Sequence, residues 1–270
     1  MSSETNVQTV VSQPIQTPSK EYEFPTEVIS LPSEGKVYPL NHPLSKGTVT
    51  IKYMTAKEED ILSSQNLIKK GVVLDKLLES VVVDAPIDDL VIGDKNAIFL
   101  ATRILGYGAN YDVEVTDPFS GERQAITIDL SAVKTKDIDF SKLNRENIYE
   151  FKLPSNDKTV IKFKLLTHKD EVDITQEIQA LERVTKGTNA SDVTTRLRKM
   201  VLEVNGNKDR GFVNKWVQNN FLARDIKAFR AYVKELSPDL DLKFNFVSNV
   251  TGEMEALDIP FGINFFYPTT

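Results

Sequence analysis

Two short turns carry the side chains whose spacing most resembles a chemical site. Asp117-Pro-Phe-Ser120-Gly121 and Ser248-Asn-Val-Thr251-Gly252 have the spacing of C-x-x-C-G zinc knuckles, in which paired thiolates grip one metal and glycine closes the turn. Two knuckles on adjacent hairpins supply the four ligands of a tetrahedral zinc ribbon. Here oxygen stands wherever sulfur would: Ser120, Ser248 and Thr251 cannot replace thiolates, and only Asp117 is a plausible ligand. No metal and no other cofactor is expected. What the spacing leaves is a cysteine-free, zinc-ribbon-like pair of hairpins held by hydrogen bonds and apolar packing. The plainer alternative is two ordinary turns, because D-P-x-S-G is good turn chemistry by itself.

Other chemistry is scarce. The chain has no cysteine and only two histidines, His42 and His168, which removes thiol nucleophiles, disulfides and multi-histidine metal sites. His42 precedes a proline in a loop and His168 lies at a helix start, neither with a recognisable Ser or Asp partner. There is no phosphate loop, G-x-G-x-x-G, G-x-S-x-G or H-E-x-x-H. Glu58 and Glu59 are adjacent, so they point to different sides of a helix, and a helix-start role explains them. The catalytic assignment is none, and an enzyme is not expected.

Charge narrows the partners. Across 270 residues, 33 basic and 39 acidic side chains give a net charge of −6, which disfavours non-specific attraction to nucleic acid. One stretch runs the other way: Thr194 to Glu235 holds ten basic and four acidic residues, a local charge of +6. Within it Lys227, Arg230 and Lys234 share one helical face. A nucleic-acid-binding module using helices 194–235 is therefore the alternative function, although no aromatics interleave as single-strand platforms require. No apolar run reaches about 18 residues, so no membrane span is expected. The first residues lack a secretory pattern, and a reducing cytoplasm is the expected compartment.

A repeated order of elements positions the turns. L-P-S-E-G-K-V-Y from Leu31 leads into T-V-T-I-K-Y and M-T-A-K-E-E-D-I-L; L-P-S-N-D-K-T-V from Leu153 leads into I-K-F-K-L-L-T-H-K-D-E-V-D-I. Thr55 with Glu58, and Thr167 with Asp170 or Glu171, read as helix starts. Residues 111–130 and 242–261 both alternate, turn at Gly-Glu and alternate again, as hairpins do. Gly121 and Gly252 suit turn positions of positive φ. Helices are expected at 56–70, 72–82 and 94–105 (closed by Gly106), then at 168–186, 191–204, 210–220 and 222–236. The landmark separation grows from 112 residues (Thr55 to Thr167) to 131 (Gly121 to Gly252), so the second unit carries about 19 more.

The expected fold is thus α+β: two similar modules at 26–150 and 151–270, each with a β opening, helices and a β-hairpin. Residues 1–25, rich in Ser, Thr, Gln and Pro, read as a flexible N-terminal arm. The C-terminal stretch holds Phe261, Phe265, Phe266 and Tyr267. It either folds back on the core or anchors in a partner. Trp216 fits a core-facing stripe.

L-P-S-E-G-K-V-Y, Y-M-T-A-K-E-E-D-I-L, G-D-K-N-A-I-F-L-A-T-R-I-L-G-Y-G-A-N-Y and I-P-F-G-I-N-F-F-Y-P resemble the baseplate hub protein family of T-even-type contractile-tailed phages. The M-T-A-K-E-E-D-I-L block is the most specific piece. The resemblance marks Leu31, Pro32, Gly35, Tyr38, Met54, Thr55, Glu58 and Glu59 as signature or partner-binding positions. It implies that Asp117, Ser120, Ser248 and Thr251 occupy former ligand positions, so metal-dependent properties of relatives do not transfer. It also implies a non-enzymatic role: binding other hub proteins, as structural subunit or assembly factor, in the host cytoplasm and then the tail baseplate. The acidic composition and the N-terminal arm lean toward an assembly role.

Overall fold

The computed structural model describes residues 24–185 and 192–266. The N-terminal arm through residue 23, and Tyr267, lie outside the described residues. β1 (Thr26–Ser30) pairs antiparallel with β2 (Thr48–Lys52). Val49 and Ile51 of β2 point inward because strand side chains alternate. Then come α1 (Ala56–Ser63), α2 (Gln65–Lys70), α3 (Val73–Val81) and α4 (Ile92–Tyr107). The hairpin of β3 (Asn110–Thr116) and β4 (Arg123–Asp129) follows, and then β5 (Lys134–Thr135).

The second half opens with β6 (Tyr149–Leu153) and β7 (Asn156–Phe163), so the expected 150/151 module boundary falls inside β6. α5 (His168–Thr185) and α6 (Asp192–Met200) lead to β8 (Val201–Val204), which joins β7 on its free edge. α7 (Arg210–Asn219), α8 (Ala223–Leu236), β9 (Leu240–Asp241), and the hairpin of β10 (Lys243–Val247) and β11 (Met254–Asp258) complete the order. β9 pairs with β5, tying the two halves together. The fold is mixed α and β with small antiparallel sheets.

The halves share contacts as well as order. Glu27 sits opposite Ile51 in one opening pair, and Tyr149 opposite Phe163 in the other. Ile51 then bridges Val82, as Phe163 pairs with Val201. At the first helix starts, Lys52 pairs with Glu58 at 2.7 Å, and Lys164 with Asp170 at 2.7 Å. In both, the threonine midway between them, Thr55 or Thr167, donates its backbone N–H and hydroxyl to that carboxylate. One apolar core runs through both halves, from Leu31, Ile51 and Leu77 to Phe163, Phe229 and Phe265.

Three local expectations need correction. Gly106 does not close a helix: it lies inside α4, where only a missing Cβ leaves room for the Met54 methyl, and Gly108 at φ 84° ends the helix. The expected helix 191–204 stops at Met200, because Val201–Val204 complete a sheet with β7. The helix expected over 56–70 breaks at Ser64, whose hydroxyl caps α2.

Candidate functional site

The two knuckle-like turns meet. β3 and β4 bring Asp117 to one turn and β10 and β11 bring Ser248 to the other, and the Ser248 hydroxyl donates to Asp117 Oδ2 at 2.5 Å. Asp117 Oδ1 accepts the N–H groups of Phe119 (2.8 Å) and Ser120 (3.3 Å). Ser248 Oγ accepts those of Val250 (3.2 Å) and Thr251 (3.0 Å). Ser120 Oγ and Thr251 Oγ1 each take the N–H of the glutamate two residues on, at 3.3 Å. Gly121 and Gly252 both hold φ near 75°, which any Cβ would strain. Side-chain oxygens thus accept the backbone amides of both turns. Burial disfavours charge on Asp117, but the hydrogen bonds outweigh it and hold its carboxyl below the usual range. Gln124 fastens the turns further, donating to Val247 O at 3.0 Å and accepting from Asn249 N at 3.0 Å. Among the described residues no cluster of three or more His, Cys, Asp or Glu side chains could hold a metal. The outer ends of the turns present Phe119 and Val250 to solvent.

The signature residues near the start are mostly internal. Leu31, Pro32, Gly35 and Tyr38 are buried. Asp94, in the first turn of α4, holds their loop from inside: it accepts Ser33 N at 2.9 Å, Ser33 Oγ at 2.6 Å and Tyr38 OH at 2.6 Å. Burial pushes the Asp94 carboxyl up from its ordinary value despite these bonds. The second half has the same clasp, with Ser155 donating its N–H (3.0 Å) and its hydroxyl to Asp225 in the first turn of α8. Gly35, at φ 72°, has no space for a Cβ, which would fall 2.5 Å from Ser45 O. Met54 lies half-buried over Gly106, and Glu59 is exposed and accepts from Tyr107 OH. Glu58 is buried; burial works against its charge, yet Lys52, Ser80 and Thr55 hold it down at about 2.

The basic stretch divides in two. Arg196, Arg198, Lys199 and Lys208 pair with Glu171 and Asp192, Glu177, Asp173, and Glu203 respectively. Arg210 donates to the Val201 and Arg198 carbonyls. Lys227, Arg230 and Lys234 remain exposed on α8. In the C-terminal segment Phe265 and Phe266 are buried against Phe99 and Tyr111, and Phe261 is half-buried beside them. Trp216 is half-buried against Phe221.

Sequence reasoning missed Asp94, Asp225, Lys52, Lys164 and Gln124. A usable signal existed for the aspartates, since Asp94 and Asp225 are 131 residues apart, the same separation as Gly121 and Gly252. The T4 bacteriophage base plate protein family matches residues 25–195, well over half of the 270. No curated protein and no solved structure matches the chain.

Proposed function

We propose that this chain, which belongs to the T4 bacteriophage base plate protein family, is a non-enzymatic protein of the baseplate hub that works by binding other hub proteins. The family match over residues 25–195 carries the reading. Subunit and assembly factor are its two forms; an assembly factor must bind strongly enough to bias an intermediate, yet release it. It acts in the host cytoplasm during assembly and, as a subunit, in the virion tail baseplate. Among the described residues no helix is long and apolar enough to cross a membrane.

We read the chain as two copies of one unit. Support comes from the matched strand registers, the paired Lys–Thr–acid helix starts and the two Ser–Asp clasps. On this reading the joined turns are a zinc-ribbon-like pair in which hydrogen bonds centred on Asp117 stand where a metal would. A turn already fixed in shape loses little entropy on docking, so the Phe119 and Val250 tips suit a partner contact.

The test is an affinity pull-down of the tagged full chain from phage-infected cells, read by mass spectrometry. Hub proteins recovered from tail intermediates but not mature particles identify an assembly factor. Recovery from both identifies a subunit. Recovery of no tail protein refutes the proposal.

A further inference from the structure

α4 and α8 hold corresponding places, each carrying the aspartate of a Ser–Asp clasp in its first turn. Counting from those aspartates, Asn96, Phe99 and Arg103 on α4 match Lys227, Arg230 and Lys234 on α8. On α4 this face is covered by a distant part of the same chain. Asn96 donates to Asp239 Oδ1 at 3.0 Å, Phe99 packs on Phe261 and Phe266, and Arg103 Nε donates to Phe265 O at 2.9 Å. On α8 the matching face is bare. There Lys227, Arg230 and Lys234, with Ala223, Ile226 and Ala231, line an open groove of about 430 Å³. Among the described residues no side-chain hydrogen bond or ion pair engages these three cations. The two acids of α8 itself are already used: Asp225 holds Ser155, and Glu235 pairs with Lys142 at 2.9 Å. Lys234 also borders a separate groove lined by Asp239, Asp241 and Asp258.

We propose that this face of α8 receives an acidic segment of a protein partner, lying over the Ala223, Ile226 and Ala231 floor with its carboxylates toward Lys227, Arg230 and Lys234. Two observations select that occupant. The groove is lined by three cations and by no acid, so a carboxylate-bearing segment is its electrostatic complement. The covered face of α4 supplies the precedent, since there a cation at the Lys234-equivalent position binds an acceptor on the covering segment. Ala223 and Ala231 in the floor let a backbone approach closely. The proposal rests on the baseplate reading only in taking the partner to be a phage tail protein.

The test places the photoreactive residue p-benzoylphenylalanine at Ala231 of the full chain, or at Val250 on the hairpin tip, in phage-producing cells. Cross-linked peptides are then sequenced by mass spectrometry. The expected product at Ala231 is an acidic segment of another tail protein. Its yield falls by about tenfold or more in the Lys227→Glu/Arg230→Glu/Lys234→Glu variant and is retained in Lys227→Arg/Lys234→Arg. The altered side chains are exposed, so an unchanged urea midpoint verifies that the triple variant is folded. A nuclease-sensitive adduct, a peptide from a second copy of this chain, or a segment without acidic excess overturns the proposal. If Val250 captures tail proteins and Ala231 captures nothing, the α8 proposal fails and the baseplate reading survives. Absence of tail proteins at both positions counts against both.

Discussion

Asp94→Ala tests whether the L-P-S-E-G-K-V-Y loop is held from within. The carboxylate takes three donors, Ser33 N, Ser33 Oγ and Tyr38 OH, and the Tyr38 oxygen in turn accepts Val91 N at 3.0 Å. Ser33 and Asp94 are both 0% exposed, so water cannot replace the lost acceptor without opening the loop. A buried donor left unsatisfied costs about 1–3 kcal/mol. Three of them set a range of roughly 3–9 kcal/mol, and partial relaxation places the expected loss near 4 kcal/mol. Asp225→Ala is the internal control, because among the described residues only Ser155 donates to it and Ser155 is half-buried. Its expected cost is about 1–2 kcal/mol. Urea unfolding followed by circular dichroism measures both. At an m-value near 3 kcal/mol/M, Asp94→Ala lowers the midpoint by roughly 1.3 M with m unchanged. A loss below about 1 kcal/mol, or one no larger than that of Asp225→Ala, would refute the reasoning.

Three further outcomes are expected. Glu58, depressed to about 2 from an ordinary value of 4.5, stabilises the fold above the ordinary value, and that contribution disappears as pH falls toward 2. The stability gap between wild type and Glu58→Gln, measured by urea titration at successive pH values, should therefore close on acidification; a constant gap contradicts the charge argument. Gly93→Ala would put a Cβ 1.9 Å from Pro238 O, a backbone atom, and should cost about 3 kcal/mol or more, whereas Gly121→Ala, with open space around it, should cost about 1 kcal/mol. Thermal melts that rank the two the other way would show that α4 does not pack so closely on Pro238. The Asp117→Cys/Ser120→Cys/Ser248→Cys/Thr251→Cys variant should bind cobalt with tetrahedral thiolate bands in its absorption spectrum; failure to develop them would mean the four side chains do not converge on one point.

Local patterns in the sequence were good guides to local structure. Alternation around a Gly-Glu turn located both hairpins, and threonine followed by an acid located the starts of α1 and α5. Knuckle spacing singled out Asp117, Ser120, Ser248 and Thr251 before anything placed the two turns side by side. The errors arose where a distant partner overrode a local preference. V-L-E-V continues the apolar helical stripe of Leu197 and Met200, but the free edge of β7 claims it as a strand. Gly106 looked like a stop signal because glycine usually is one; the Met54 side chain gives it another use. Each Ser–Asp clasp joins one hydroxyl to one carboxylate 61 or 70 residues away, too sparse a pattern for periodicity to reveal. The basic stretch changed meaning only when α5 brought Glu171, Asp173 and Glu177 against it.

The covering of α4 by the far end of the chain bears on synthesis. Arg103 meets Phe265 across 162 residues, so the first half has its helices and hairpin on hand long before the segment that seals them exists. At about 5–20 residues per second, that interval lasts roughly 8–32 s. During it Phe99 and Tyr111 lack the aromatic cover that Phe261, Phe265 and Phe266 later provide. The nascent first half thus shows the kind of transiently exposed apolar surface that chaperones hold, and a stop codon at position 261 would leave that exposure permanent.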